Sequence, residues 1–289
     1  MEFQTASTVA PWTFRVLKSM VRRRIRGSSW LTEQLRGSGW FDRPVLFPLT
    51  SKVAIEVPIG RRDSFWDERD LQDYDALLFE TLPGLINQLQ APVMMVDGGA
   101  DIGLFSLKVV ATCPQVRCLR AFEPNPVSYQ SLSRNLARLN IDAVAVNSAI
   151  SDFNGKGAMK TPNYDSSDHA RFLAADPAGG IPVTTVDDLK IDPALHVVIK
   201  LDLEGGEMAA LRGAERTIRQ APKLVVILEA HPKVFERTGI DPCEMFRCLA
   251  ALRPFRFLGG ERSDRPVDIS RPFFDQFERE IVNVTGVTL

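Results

Sequence analysis

Five short apolar runs alternate with helical stretches after Pro92, and that alternation constrains the fold more than any other feature of the chain. VMMVD (93–97), CLRAFE (118–123), AVAVNSA (143–149), HVVIKLD (196–202) and KLVVILEA (223–230) are apolar at nearly every position. A strand with one wet face alternates apolar and polar residues, whereas a strand covered on both faces does not, so these runs predict a parallel sheet with helices on both faces. Helical spacing fills the gaps at about 102–112, 126–139, 206–220 and 241–252, with Leu132, Leu136 and Leu139 marking one face. The chain ends on FRFLGG (255–260) and IVNVTGVTL (281–289), two strand-like runs with no long helix between them. The whole predicts an α/β fold with a mostly parallel seven-stranded sheet that finishes in an antiparallel strand pair.

Before this pattern the sequence is less regular. Residues 1–66 read as an N-terminal extension containing a basic helix and an edge strand, VAIEVPIG (53–60), which Pro58 ends. Residues 67–289 read as one doubly wound domain, opening with a helix over 67–90 in which Leu71, Tyr74, Leu78 and Leu82 recur at spacings of three and four.

Charge narrows the partners. A net charge of -1 provides no general attraction to nucleic acid or to acidic membranes. Locally, Lys18, Arg22, Arg23, Arg24 and Arg26 cluster among Val16, Leu17, Met20, Val21 and Ile25. An export signal needs about 7 to 15 apolar residues after such charges and a membrane span about 20, and neither run follows. The cluster reads first as a solvated helix or a subunit contact, and alternatively as an amphipathic helix making weak contact with an anionic membrane surface. The four cysteines form two pairs, Cys113 with Cys118 and Cys243 with Cys248, spaced too widely for a zinc knuckle, so a reduced cytoplasmic protein with ordinary core thiols is expected.

The first strand leads into DGGADIG (97–103), where glycines let backbone approach a ligand that a β-carbon would obstruct. A nicotinamide dinucleotide would require the spacing GxGxxG, but Ala100 stands where the middle glycine would fall after Gly98. Asp97 and Asp101 also bracket the turn, where they would repel a pyrophosphate and attract a sulfonium or an ammonium. Glu123 ends the second strand twenty residues after Gly103, placed to accept ribose hydroxyls, and Asn125 with Pro126 suits a helix start.

These motifs occur in order with NSAISD (147–152), TTVDDL (184–189) and IKLDLEGGEMAALRGA (199–214), and together they resemble the FkbM family of S-adenosylmethionine-dependent methyltransferases over about residues 93–232. The resemblance implies the Rossmann-like class I methyltransferase fold, S-adenosylmethionine as cofactor and, usually, O-methylation of sugars or natural-product small molecules. It implies that Asp97, Gly99, Asp101 and Gly103 hold the methionine part, in a loop with Gly98 and Ala100. Glu123, followed by Pro124, would hold the ribose, Ser148 and Ala149 the adenine edge, and Asp202 would border the cofactor.

Ligands of open parallel sheets collect outside the carboxyl ends of the strands, where Asp202, Glu204, Glu229 and His231 fall. Methyl transfer to a hydroxyl requires a group that takes its proton, and Asp202 is the first candidate, His231 the second and Glu204 the third. Glu204 can equally cap the following helix, and His231 before Pro232 can be a turn residue. Asp202, Glu229 and His231 could bind a metal, but no close-spaced ligand motif supports one and no metal is expected. The long polar segment NYDSSDHARFLAADPAGG (163–180) offers Tyr164 and His169 to a substrate, and Trp66 offers a platform for a sugar ring, alongside Glu229. Other readings are a Rossmann dehydrogenase, a nucleic-acid methyltransferase and a non-catalytic cofactor-binding scaffold. LDLEGG stands where base methyltransferases carry an Asn/Asp-Pro-Pro-aromatic motif, so a nucleic-acid partner is not expected.

Overall fold

A computed structural model describes residues 10–89, 92–161, 171–278 and 280–289, in two compact units that divide between Tyr74 and Asp75. The first holds α1 (Trp12–Arg22), α2 (Ser28–Gly37), a hairpin of β1 (Val45–Pro48) and β2 (Ala54–Val57), and α3 (Glu68–Asp73). Phe14, Phe41 and Phe65 form its aromatic centre, with ring centroids 4.8 to 6.1 Å apart. Asp67 caps α3 in a reciprocal box with Asp70, and these two acids also receive Lys18 and Arg22 of α1. The helix expected over 67–90 is two helices, because Asp75 adopts a left-handed conformation (φ 49°) that interrupts the hydrogen-bond ladder.

The second unit opens with α4 (Leu78–Asn87) and then alternates: β3 (Val93–Gly98), α5 (Leu104–Thr112), β4 (Val116–Phe122), α6 (Pro126–Leu136) and β5 (Asp142–Val146). After four short strands, β6 (Ala149–Ile150), β7 (Gly155–Lys160), β8 (Phe172–Ala175) and β9 (Ile181–Thr184), the main sheet resumes. Its remaining elements are β10 (His196–Leu201), α7 (Glu207–Arg212), α8 (Glu215–Gln220), β11 (Leu224–Ala230), α9 (Pro232–Thr238), α10 (Pro242–Leu252), β12 (Phe255–Gly259), β13 (Arg265–Pro266) and β14 (Val282–Thr288).

The five apolar runs form the parallel strands of one sheet, ordered β5-β4-β3-β10-β11, and β14 continues it antiparallel to both β11 and β12. The sheet has eight strands where seven were expected, the added one being the two-residue edge strand β13. From β3 the chain winds one way through β4 to β5 and the other way from β10 to β11. Right-handed crossovers in opposite directions put helices on opposite faces and open a crevice between β3 and β10.

Two expectations are corrected in detail. The run 143–149 is not one strand: β5 ends at Val146, and β6 joins a separate four-stranded sheet, ordered β6-β9-β7-β8. The helix expected over 206–220 is α7 and α8, broken at Gly213, where a β-carbon would strike the backbone carbonyl of Ser151.

Candidate active site

The crevice is built from strand ends. Beyond β3, the N–H groups of Gly99 and Ala100 both donate to the Phe122 carbonyl at 3.0 Å, folding the loop onto β4. Gly99 is left-handed (φ 76°), and a β-carbon there would collide with the carbonyl oxygen of Asp202. Gly103 (φ 92°) precedes α5 in a second left-handed turn. The loop thus needs glycine at both positions, one for conformation and close approach, the other for conformation.

Glu123 braces the cradle from β4. Its Oε2 accepts the Asp101 N–H at 2.8 Å and its Oε1 accepts the Asn125 N–H at 2.7 Å, so one carboxylate ties the loops after β3 and β4 together. Carboxylate oxygens have two lone-pair sites each, which leaves capacity for hydroxyl donors. Asn147 donates to the Glu123 and Pro124 carbonyls at 2.8 and 3.2 Å, and the Ser148 hydroxyl donates to Pro182 O at 2.9 Å, fixing the turn that leads to Ala149.

Asp97 behaves differently from its sequence reading. It is fully buried, its Oδ2 accepts the Ser106 hydroxyl at 2.6 Å, and its Oδ1, which has no hydrogen-bond partner, lies 3.8 Å from Lys200 Nζ. Burial pushes its pKa up, and Lys200 and Ser106 oppose that. Lys200, itself 2% exposed, reaches Asp202 Oδ2 at 3.0 Å. The positive charge that compensates two of the predicted site acids was therefore overlooked, although a lysine within the apolar run HVVIKLD calls for a buried carboxylate partner.

After β10 the chain turns sharply through left-handed Glu204 (φ 53°) and Gly205 (φ 98°). Asp202, Glu204 and Glu229 thereby converge, each offering a carboxylate oxygen, all within 4.8 Å of one another. This is also the set that could hold a cation by oxygen ligands, with Glu204 in the place expected for His231. Glu207, buried at the start of α7, accepts the Leu203 N–H at 2.7 Å, and burial raises its pKa. At the end of β11 Glu229 is held well above the usual carboxylate range, by burial first and then by the charges of Asp202, Glu204 and Glu207.

His231 does cap the next helix. Its Nδ1 accepts the Lys233 N–H at 3.1 Å, so the neutral ring carries its hydrogen on Nε2. Glu229 and His231 border a cleft lined also by Glu207, Met208, Val234, Phe235, Ile240 and Met245. Of the substrate candidates, Tyr164 and His169 lie outside the described residues, and Trp66 belongs to the first unit, where its ring lies 6.3 Å from that of Tyr74.

The family model described as the methyltransferase FkbM domain matches residues 57–251. The methyltransferase sdnD of Sordaria araneosa is 54% identical over 52 residues, which is 18% of this chain and 20% of that protein's length. The hexuronic acid methyltransferase AglP of Haloferax volcanii is 22% identical over 239 residues, covering 80% of this chain and 89% of the relative. Among solved structures, a methyltransferase FkbM from Methylobacillus flagellatus KT aligns with a TM-score of 0.40 and 18% identity, over 76% of this chain and 55% of its own.

Proposed function

The chain belongs to the FkbM methyltransferase family, and from that premise we propose that it transfers a methyl group from S-adenosylmethionine to a hydroxyl of a sugar, glycan or natural-product small molecule. The observation that carries the reading is the adjacency of two structures across β3, β10 and β11: a glycine cradle braced by Glu123, and a cleft whose polar end is Glu229 and His231. The 22% identity to a hexuronic acid methyltransferase over most of both chains supports a sugar-type acceptor.

The residues fit the cofactor. Left-handed Gly99 and Gly103 let the loop fold tightly against Asp202 and Leu132, where a β-carbon would clash, Glu123 offers carboxylate oxygens to ribose hydroxyls, and Ser148 and Ala149 border the adenine side. Asp97, being fully buried, acts on the methionine part through Lys200 and the loop backbone rather than by direct contact. When bound, the cofactor supplies an electrophilic methyl group on a sulfonium.

The chain's own work is to align the acceptor and accept its proton. Asp202, paired with Lys200, orients the acceptor. Glu229, which lines the cleft, takes the hydroxyl proton in its ionised form as the new bond forms. His231 donates from Nε2 to the acceptor, and Glu204 maintains the negative field.

The test is a thermal-shift comparison followed by a product assay. S-adenosylhomocysteine should raise the melting temperature and NADH should not; hydroxylated sugars and hexuronic acid glycosides should yield methylated product by mass spectrometry. Methylation of RNA or DNA with no hydroxylated small molecule accepted would overturn the acceptor assignment, and stabilisation by NADH alone would overturn the cofactor.

A further inference from the structure

Three of the chain's four tryptophans lie on the surface of the first unit: Trp12 is 72% exposed, Trp30 67% and Trp40 59%. Exposed Val16 and Ile25 lie in the same stretch. Tryptophan is the costliest side chain to leave in water, and repeated exposure in one short segment marks a surface that meets something apolar. On α1 the buried residues are Phe14 and Leu17, while Trp12, Arg15, Val16, Ser19 and Arg23 follow the exposed face. Trp40 is held beside the first turn of that helix, its indole N–H donating to Thr13 Oγ1 at 2.9 Å.

Charge identifies the occupant. Residues 12–40 contain seven Lys and Arg against one acid, a net +6 in a chain whose total is -1. Arg15, Arg23, Arg24 and Arg26 are exposed and form no ion pair among the described residues. We propose that this surface docks onto an anionic lipid bilayer, with Trp12, Trp30 and Trp40 entering the headgroup region and the arginines facing lipid phosphates. Indole rings favour that depth because one edge is apolar and the N–H is polar. Val16 and Ile25 add aliphatic area of no use to a nucleic acid, and a symmetric contact with a second copy would set these four arginines against the same four. The helix spans 11 residues, about 16 Å, and lies on the membrane rather than through it; no helix of the described residues is long and apolar enough to cross one. The patch precedes the family match, which begins at residue 57, so methyl transfer does not account for it.

The experiment is co-sedimentation of the full chain with vesicles of phosphatidylcholine alone and of phosphatidylcholine with phosphatidylglycerol, at low and at physiological salt. Binding to the anionic vesicles, weakened by salt and with a blue shift of tryptophan emission, is expected. The variant R23E/R24E should lose at least tenfold in partitioning, and W12S/W30S should lose the blue shift. Circular dichroism and melting temperature should match the parent in both variants, which separates lost docking from lost folding. Equal binding to both vesicle types, or to neither, overturns the proposal. So does a patch-dependent shift of RNA or DNA without vesicle binding, or a dimer that W12S/W30S dissociates.

Discussion

Lys200 and Asp202 stand two residues apart at the end of β10, their charged groups 3.0 Å apart, and the same ammonium lies 3.8 Å from buried Asp97. One cation thus serves a carboxylate on each side of the crevice between β3 and β10. Its removal leaves buried Asp97 with the Ser106 hydroxyl but no countercharge, a loss of about 3 to 5 kcal/mol for a broken buried pair. Lys200→Met should therefore lower the melting temperature sharply, and adding Asp97→Asn should recover much of the loss. Denaturant unfolding of both single variants and the double variant measures the coupling; purely additive losses would show that the two groups do not interact.

Glu229 should trade stability for activity. Its pKa in the folded state lies above the unfolded value, so its contribution to stability is fully present below that unfolded value, about 4.3, and is lost as pH rises through the folded one. Glu229→Gln removes the ionisation, so it should raise the melting temperature, and by more at pH 8 than at pH 5. Methyl transfer should fall about 10² to 10⁴-fold, the usual contribution of a positioned base. Wild-type kcat should climb with pH along an acidic limb set above the ordinary carboxylate range, and Glu229→Gln should flatten that limb.

Glu123 carries a double duty that Glu123→Gln and Glu123→Ala separate. The amide keeps one oxygen acceptor for Asp101 or Asn125 and loses the other, while alanine loses both charge-assisted bonds, each contributing about 1.5 to 3 kcal/mol. In isothermal titration, S-adenosylhomocysteine affinity should fall by about tenfold for glutamine and more than a hundredfold for alanine. Unchanged affinity in both would remove Glu123 from the ribose site.

Much of this site is legible in the primary structure, for reasons that also explain what is not. Strands such as 196–201 are buried on both faces, so their composition announces them; β7, GKGAMK, is as long but buries only Gly157, and carries no such signature. Gly99 and Gly103 stand out because left-handed backbone demands them. The convergence of Asp202, Glu204 and Glu229 is hidden because it depends on two consecutive left-handed residues after β10. The arginine-rich N-terminal segment announces its charge, but only the fold shows that Trp12, Trp30 and Trp40 remain outside.

His231 admits a substitution that divides its two roles. Its Nδ1 accepts the Lys233 N–H at the start of α9, a task that asparagine performs equally well at an N-cap, whereas the Nε2–H proposed to meet the acceptor has no counterpart in asparagine. His231→Ala should cost about 1 kcal/mol of stability together with activity. His231→Asn should unfold within about 0.5 kcal/mol of the parent and still lose tenfold or more in kcat, with the affinity for S-adenosylhomocysteine unchanged. The Nδ1 lone pair is taken by the Lys233 N–H, so that atom is not the one that collects the acceptor's proton. If His231→Asn retains full activity, the imidazole is a helix cap alone, and Glu229 must orient the acceptor without it.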